Sequence, residues 1–170
     1  TTRAAVDLLF GRNDRLSVFV NRKTSDRLGR AESFPPGLAD VDLSTYGLGI
    51  ERERFDYRFN PRRGLGVSAD ASAGTKRSTT GTLLDAQPPE EVRRTQYELN
   101  GRVVGHLPLG GRGTLRLAAQ GGSMVNEQLF ANELYRMGGI KSMRGIDEAS
   151  IYCSSFAIGT AELHFILDEN

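Results

Sequence analysis

An antiparallel, all-β fold is what this 170-residue sequence predicts. Apolar and polar residues alternate in run after run, the period-two signature of strands with unlike faces. Glycine occurs 20 times without a collagen period, which suits turns and tightly curved strands. Short and long polar connections alternate, imperfectly, between the runs, while helical periodicity is scarce.

Taken in order, "AVDLLFG" and "LSVFVNR" flank the short connection "RND" and predict a hairpin. A double proline in "GRAESFPPGLAD" then breaks the chain. In "YGLGIERERFDYRF" the apolar parity changes between Ile50 and Phe55, which predicts a bulge or a strand that outruns the apolar zone. "LGVSADASAG" sets Leu65, Val67, Ala69, Ala71 and Ala73 against Gly66, Ser68, Asp70 and Ser72. A second double proline interrupts "LLDAQPPEEV". "YELNGRVVGHL" sets Tyr97, Leu99, Val103 and Leu107 against Glu98, Asn100, Arg102 and His106. After the tight turn of "HLPLGGRG", Leu115, Leu117 and Ala119 oppose Arg116, Ala118 and Gln120. The last run sets Ala161, Leu163, Phe165 and Leu167 against Thr160, Glu162, His164 and Asp168.

Composition narrows the classes. A net charge of +1 and 38% hydrophobic residues exclude a disordered acidic tail and a nucleic-acid binder driven by excess positive charge. Cys153 is the single cysteine, so no internal disulfide forms. No apolar run approaches the roughly 20 residues of a membrane helix. The start carries no signal-peptide pattern, and the chain is expected to be an excerpt cut at both ends.

The polar faces carry Glu98, Arg102, His106, Arg116, Glu162 and His164, whereas the opposite faces are small or aliphatic. Segments of about ten residues suffice to cross a bilayer at a tilt. Lipid admits a strand only when every backbone group is paired, which requires closure. The predicted class is therefore a transmembrane β-barrel. A soluble sandwich or lipocalin-like barrel has the same alternation and stays open as the alternative.

One stretch raises a sharper question: "NELYRMGGIKSMRGIDEASIYCSSFAIGTAELHFIL". Gly138, Gly139 and Gly145 relax the backbone of a loop whose tip carries Arg144. The five fixed donors of a guanidinium suit a carboxylate, and Glu162 stands on the polar face of the following strand. A loop folded into a lumen would bring the two together as a latch. An arginine exposed at a loop tip is the plainer alternative.

"NELYRMGGIKSMRGIDE" resembles the Arg-Gly signature loop of the BamA-type outer-membrane assembly and translocation superfamily (bacterial surface antigen barrels), in particular its Bacteroidetes-like members. "YGLGIERERFDYRFNPRRGLGVSADASAG" is similar to the family's hairpin marked by Asp, Asn-Pro and Gly, and "NGRVVGHLPLGGRGTLRLAAQGG" to the next. The resemblance spans Tyr46 to Leu167. It implies that Arg144 and Gly145 are the signature pair and that Glu162 is the lumenal partner of Arg144. Ile146 stands where the family has an aromatic residue.

Residues 1–170 would then be part of one C-terminal barrel domain, about seven strands of roughly sixteen, in a size range known for such barrels. Periplasmic repeats would precede it, and the final strands would follow. The implied function is a non-enzymatic factor of the bacterial outer membrane that inserts or translocates client proteins. Unfolded barrel clients, the lipid bilayer and accessory lipoproteins are its implied partners; no cofactor and no nucleic acid are implied. The alternatives are a two-partner-type exoprotein translocator, a barrel fused to a surface enzyme, and a soluble all-β binding module.

Other chemistry is weaker. His106 and His164 lack ligands at metal spacing. Ser154 and Ser155 have no nucleophile elbow. "GGRGTLR" and "GGIKS" lack the P-loop pattern. Glu90 and Glu91 read as a solvated loop, and Cys153 as a small strand residue. The arginines of "ERERFDYRFNPRR" are assigned first to solubility at a membrane margin, with lipid phosphates or lumenal pairing as alternatives.

Overall fold

A computed structural model describes residues 1–25, 40–80, 90–130, 133–140, 143 and 145–166. Seven strands form one antiparallel sheet: β1 (Thr2–Leu9), β2 (Asp14–Ser25), β3 (Asp40–Phe55), β4 (Gly64–Thr80), β5 (Glu90–Leu109), β6 (Gly113–Val125) and β9 (Ser155–Phe165). Each pairs with the next in that order, so β1 and β9 are the edges. Between β6 and β9 the chain makes a separate two-stranded ribbon, β7 (Tyr135–Met137) with β8 (Ile151–Cys153). The described residues contain no helix.

The predicted alternation places the side chains correctly across the sheet. Val18, Leu48, Ala71 and Leu99 stand opposite one another on successive strands, as do Leu115 and Leu163. All lie on one face, and that face is open: Leu48 is 60% exposed, Leu99 58% and Phe165 64%. The other face holds most of the buried polar residues, among them Thr45, Ser72, Lys76, Gln96 and His106; Asp14, at the end of the apolar row, is buried between Arg52 and Arg54. A soluble sheet buries its apolar face and wets its polar one. Here the polarity is inverted.

The parity change after Ile50 is resolved without a bulge. β3 pairs with β4 continuously from Asp40 to Phe55, so Arg52 and Arg54 continue the outward row opposite Val67 and Leu65. Phe55 turns inward, where its ring meets His106 edge-on at 5.4 Å. Apolar outward residues thus end at Ile50 on β3 but continue to Leu65 on β4. The apolar belt crosses the strands obliquely.

Strand length needs a correction. The expected ten residues or so fit β1, β2 and β9, but β3, β4 and β5 reach 16, 17 and 20 residues. Backbone pairing does not require apolar side chains, so the ladder continues past the belt through Asp42, Arg77 and Arg93. β5 also runs through Pro108 to Leu109, leaving the turn to 110–112. Both double prolines lie outside the described residues, but the breaks are shorter than expected: Asp40 already opens β3, and Glu90 and Glu91, read from the sequence as a solvated loop, open β5 by pairing with Thr80 and Thr79.

Inward glycines make room for rings. Phe19 pairs directly with Gly47, and Phe156 with Gly122. A Cβ on Gly47 would stand 2.2 Å from the Phe19 ring, and one on Gly122 2.8 Å from Phe156. The buried apolar cluster is small, consisting of Val41, Leu43 and Phe130.

Candidate functional site: a segment folded across the polar face

The described residues between β6 and β9 do not project away from the sheet. They meet its polar face at several points.

The deepest fastening joins Lys76 of β4 to Glu133. Lys76 is 1% exposed and Glu133 5%. The ammonium donates to the Glu133 carboxylate and, at 2.8 Å, to the Gln128 carbonyl, and it lies 4.6 Å from the centre of the Phe130 ring. The Phe130 amide donates to the same carboxylate at 3.0 Å, while the Glu133 amide returns to the Phe130 carbonyl at 2.9 Å. A buried ion pair persists only with such further bonds around it. Gln128, Phe130 and Glu133 are therefore gathered around the lysine.

Tyr135 supplies a second point. Its hydroxyl lies 3.1 Å from both Glu98 Oε1 and Asn100 Oδ1 on β5, with one proton for the two acceptors. Burial, followed by the nearby Glu98 carboxylate, pushes the phenol well above its ordinary range, so it stays protonated. Asn100 in turn donates to Asp70 at 3.0 Å. The Tyr135 ring packs at 5.1 Å, nearly perpendicular, on Phe156. Further along, the Met124 amide donates to the Ser154 carbonyl at 2.8 Å. Cys153, on β8, lies 3.3 Å from the Met137 sulfur.

The glycine-rich loop closes on itself beyond β7. Gly138, Gly139 and Gly145 have φ of 124°, 84° and 89°, the left-handed region that L side chains avoid. The Gly139 amide donates to the Ile146 carbonyl and the Met143 amide to the Gly139 carbonyl, each at 2.9 Å. Arg144 lies outside the described residues. Ile140, from this loop, and Glu162, from β9, line one cavity of about 490 Å³ with Arg102, Arg116 and Gln120.

Glu162 stands on the polar face of β9, opposite Arg116. It accepts from Arg116 at 2.9 Å and lies 3.2 Å from His164 Nε2. Both partners come from the sheet itself, through the register that sets Arg116 opposite Glu162. His106 is buried between Phe55 and His164. No group of three or more His, Cys, Asp or Glu able to hold a metal occurs among the described residues.

Sequence reasoning singled out the loop and Glu162 but missed Lys76, Glu133 and Tyr135. Lys76 carried a usable signal, because it continues the inward parity of Ser72 and Gly74 as a lone cation. A charge placed on that face needs a partner. Glu133 and Tyr135 stand in irregular chain, where no period points to them. In comparisons with known protein families, curated proteins and solved structures, the chain finds no match.

Proposed function

We propose that this chain is part of a transmembrane β-barrel of the bacterial outer membrane, whose protein inserts or translocates client proteins without enzymatic chemistry. The observation that carries the membrane half is the inverted polarity: Tyr46, Leu48, Leu99, Leu163 and Phe165 are open, whereas Lys76 and Gln96 are sealed against the opposite face. Water makes that arrangement costly, and lipid reverses the sign. The oblique apolar belt also fits strands tilted through a bilayer.

The client half rests on the resemblance of the Arg-Gly loop and on a long segment lying across the polar face, as a lumenal strap would. Unfolded barrel proteins are the proposed clients, and lipoproteins the proposed accessory partners. The full-length protein, reconstituted in vesicles, should accelerate folding of an unfolded barrel protein, read as a heat-modifiable gel shift. Vesicles with and without it giving the same rate would end this reading. A translocator of soluble exoproteins is the second reading, favoured by the same strap, which would plug a pore. Its signature is single-channel conductance that rises when the strap is shortened.

Within this function, Arg144 latches the loop to Glu162, joining the carboxylate that Arg116 and His164 already share. The cavity common to Ile140 and Glu162 supports this. A double-mutant cycle on Arg144→Ala and Glu162→Gln tests it, with strongly non-additive stability changes expected. Simple additivity would leave Glu162 to Arg116 alone.

A further inference from the structure

We propose that the rim formed by the three short turns docks on the phosphate headgroups of an anionic lipid leaflet. This rests on the membrane reading above and extends it to one end of the sheet and one lipid chemistry. The rim consists of residues 10–13 between β1 and β2, 56–63 between β3 and β4, and 110–112 between β5 and β6.

The first turn is tied sideways to the end of β3, and the second to the third. The Glu53 amide donates to the Asn13 carbonyl at 3.2 Å, and Arg54 pairs with Asp14 at 2.6 Å. Arg62 donates to the carbonyls of Gly110, at 3.1 Å, and Gly111. Within 56–63 the Asp56 carboxylate accepts from the amides of Tyr57, Arg62 and Arg63 at 2.9, 3.0 and 3.1 Å. The rim is a bonded edge rather than three separate loops.

Its charge is one-sided. The three turns hold Arg12, Arg58, Arg62, Arg63 and Arg112 against one carboxylate, Asp56, which the turn amides already occupy. Among the described residues Arg12, Arg58, Arg63 and Arg112 make no ion pair, and all four are exposed. Among the described residues at the opposite end, Arg22 pairs with Asp42, and Arg94 with Glu127. Aromatic rings stand among the free arginines, with Phe10, Tyr57 and Phe59 all exposed and the last two in edge contact at 6.3 Å. Solubility alone accounts for arginines but not for protruding phenyl rings beside them. Unpaired guanidinium groups and amphipathic rings just beyond an apolar belt are what a headgroup layer satisfies. Phosphate accepts the guanidinium fork, and aromatic rings settle at the boundary between headgroups and chains.

The test uses the full-length protein with vesicles of phosphatidylcholine alone, and with vesicles in which phosphatidylglycerol replaces part of it. Wild type should associate more strongly with the anionic vesicles, and salt should erase the difference. With each basic residue near an anionic surface contributing roughly fivefold, R12Q/R58Q/R63Q/R112Q should lower that association by at least about tenfold at low salt. Its association with phosphatidylcholine should not change, which guards against misfolding. Lysine at the same four positions should keep the preference. A glutamine variant that retains the wild-type preference overturns the proposal, as does wild type entering both vesicles equally; either result leaves the membrane reading standing. Association with neither vesicle overturns both.

Discussion

Lys76 shows what a single residue does on this face. Its ammonium has lost water altogether and holds Gln128, Glu133 and Phe130 in return. Removing one partner of such a pair strands the other in a dry site. Lys76→Met should therefore destabilise the full-length protein by about 3–5 kcal/mol. Lys76→Met combined with Glu133→Leu should recover most of that, because a buried pair is worth little net against apolar packing. Denaturant unfolding in detergent measures both. A single-variant cost under about 1 kcal/mol would mean that water reaches the pair, as at an exposed ion pair. Glu162 differs, since its side chain is one-third exposed and has two sheet partners. Glu162→Gln should be milder than Glu133→Gln in the same experiment.

At the scale of elements, strands and turns were legible in the sequence to different depths. The alternation in β4, β5, β6 and β9 assigned every described residue it named to the right face, because a period of two leaves no freedom once the register is set. It could not separate a bulge from an overrunning strand at Ile50–Phe55. The partner strand decides that, through the register that sets Arg52 opposite Val67 and Arg54 opposite Leu65. Nor could it find the strap's fastenings, which depend on where irregular chain lands. Glycine spacing was legible only as a tendency. The structure gives it a local cause in the rings of Phe19, Phe55 and Phe156, each seated over a glycine of the neighbouring strand. Gly122→Ala, which brings a Cβ to 2.7 Å from Asn100 and 2.8 Å from Phe156, should cost about 1–3 kcal/mol as overpacking does. Gly101→Ala, where the nearest atom is 4.0 Å away, should be tolerated. Equal effects at the two sites would remove the ring-seating argument. The β3–β4 turn offers a pH test. Three turn amides, Arg63 first among them, hold the Asp56 carboxyl below its ordinary range. Its contribution is then complete above the unfolded carboxylate pKa of about 3.9 and fades as pH falls through the lower folded value. The stability gap between wild type and Asp56→Ala should be constant near neutrality and close in acid. A gap that widens in acid would refute the amide account.

For the molecule as a whole, the competing environments assign opposite prices to the same substitution, and Leu99 separates them. It lies in the middle of the outward row, flanked by Ala71 on β4 and Ser123 on β6, and it is 58% exposed. In water, an exposed leucine replaced by arginine changes stability by no more than about 0.5 kcal/mol, and loss of apolar surface from solvent can even help. In a bilayer, the same guanidinium on the lipid face of a barrel costs about 2–4 kcal/mol near the midplane and falls toward zero at the interfaces. Leu99→Arg should therefore sharply reduce folding of the full-length protein into vesicles. Arg52, outward on β3 but beyond Ile50, already shows a charge carried where the belt has ended. Changing it to leucine should cost less than Leu99→Arg, since Asp14, 3.8 Å from Arg52, keeps its closer partner Arg54. Replacing inward Gln120 with arginine should also be mild, since that face is polar. A position-dependent penalty that follows the apolar belt, absent on the other face of the same strands, requires a surrounding medium that excludes charge. Leu99→Arg folding as well as wild type would show that Leu99 does not meet lipid, and the membrane assignment would fail with it.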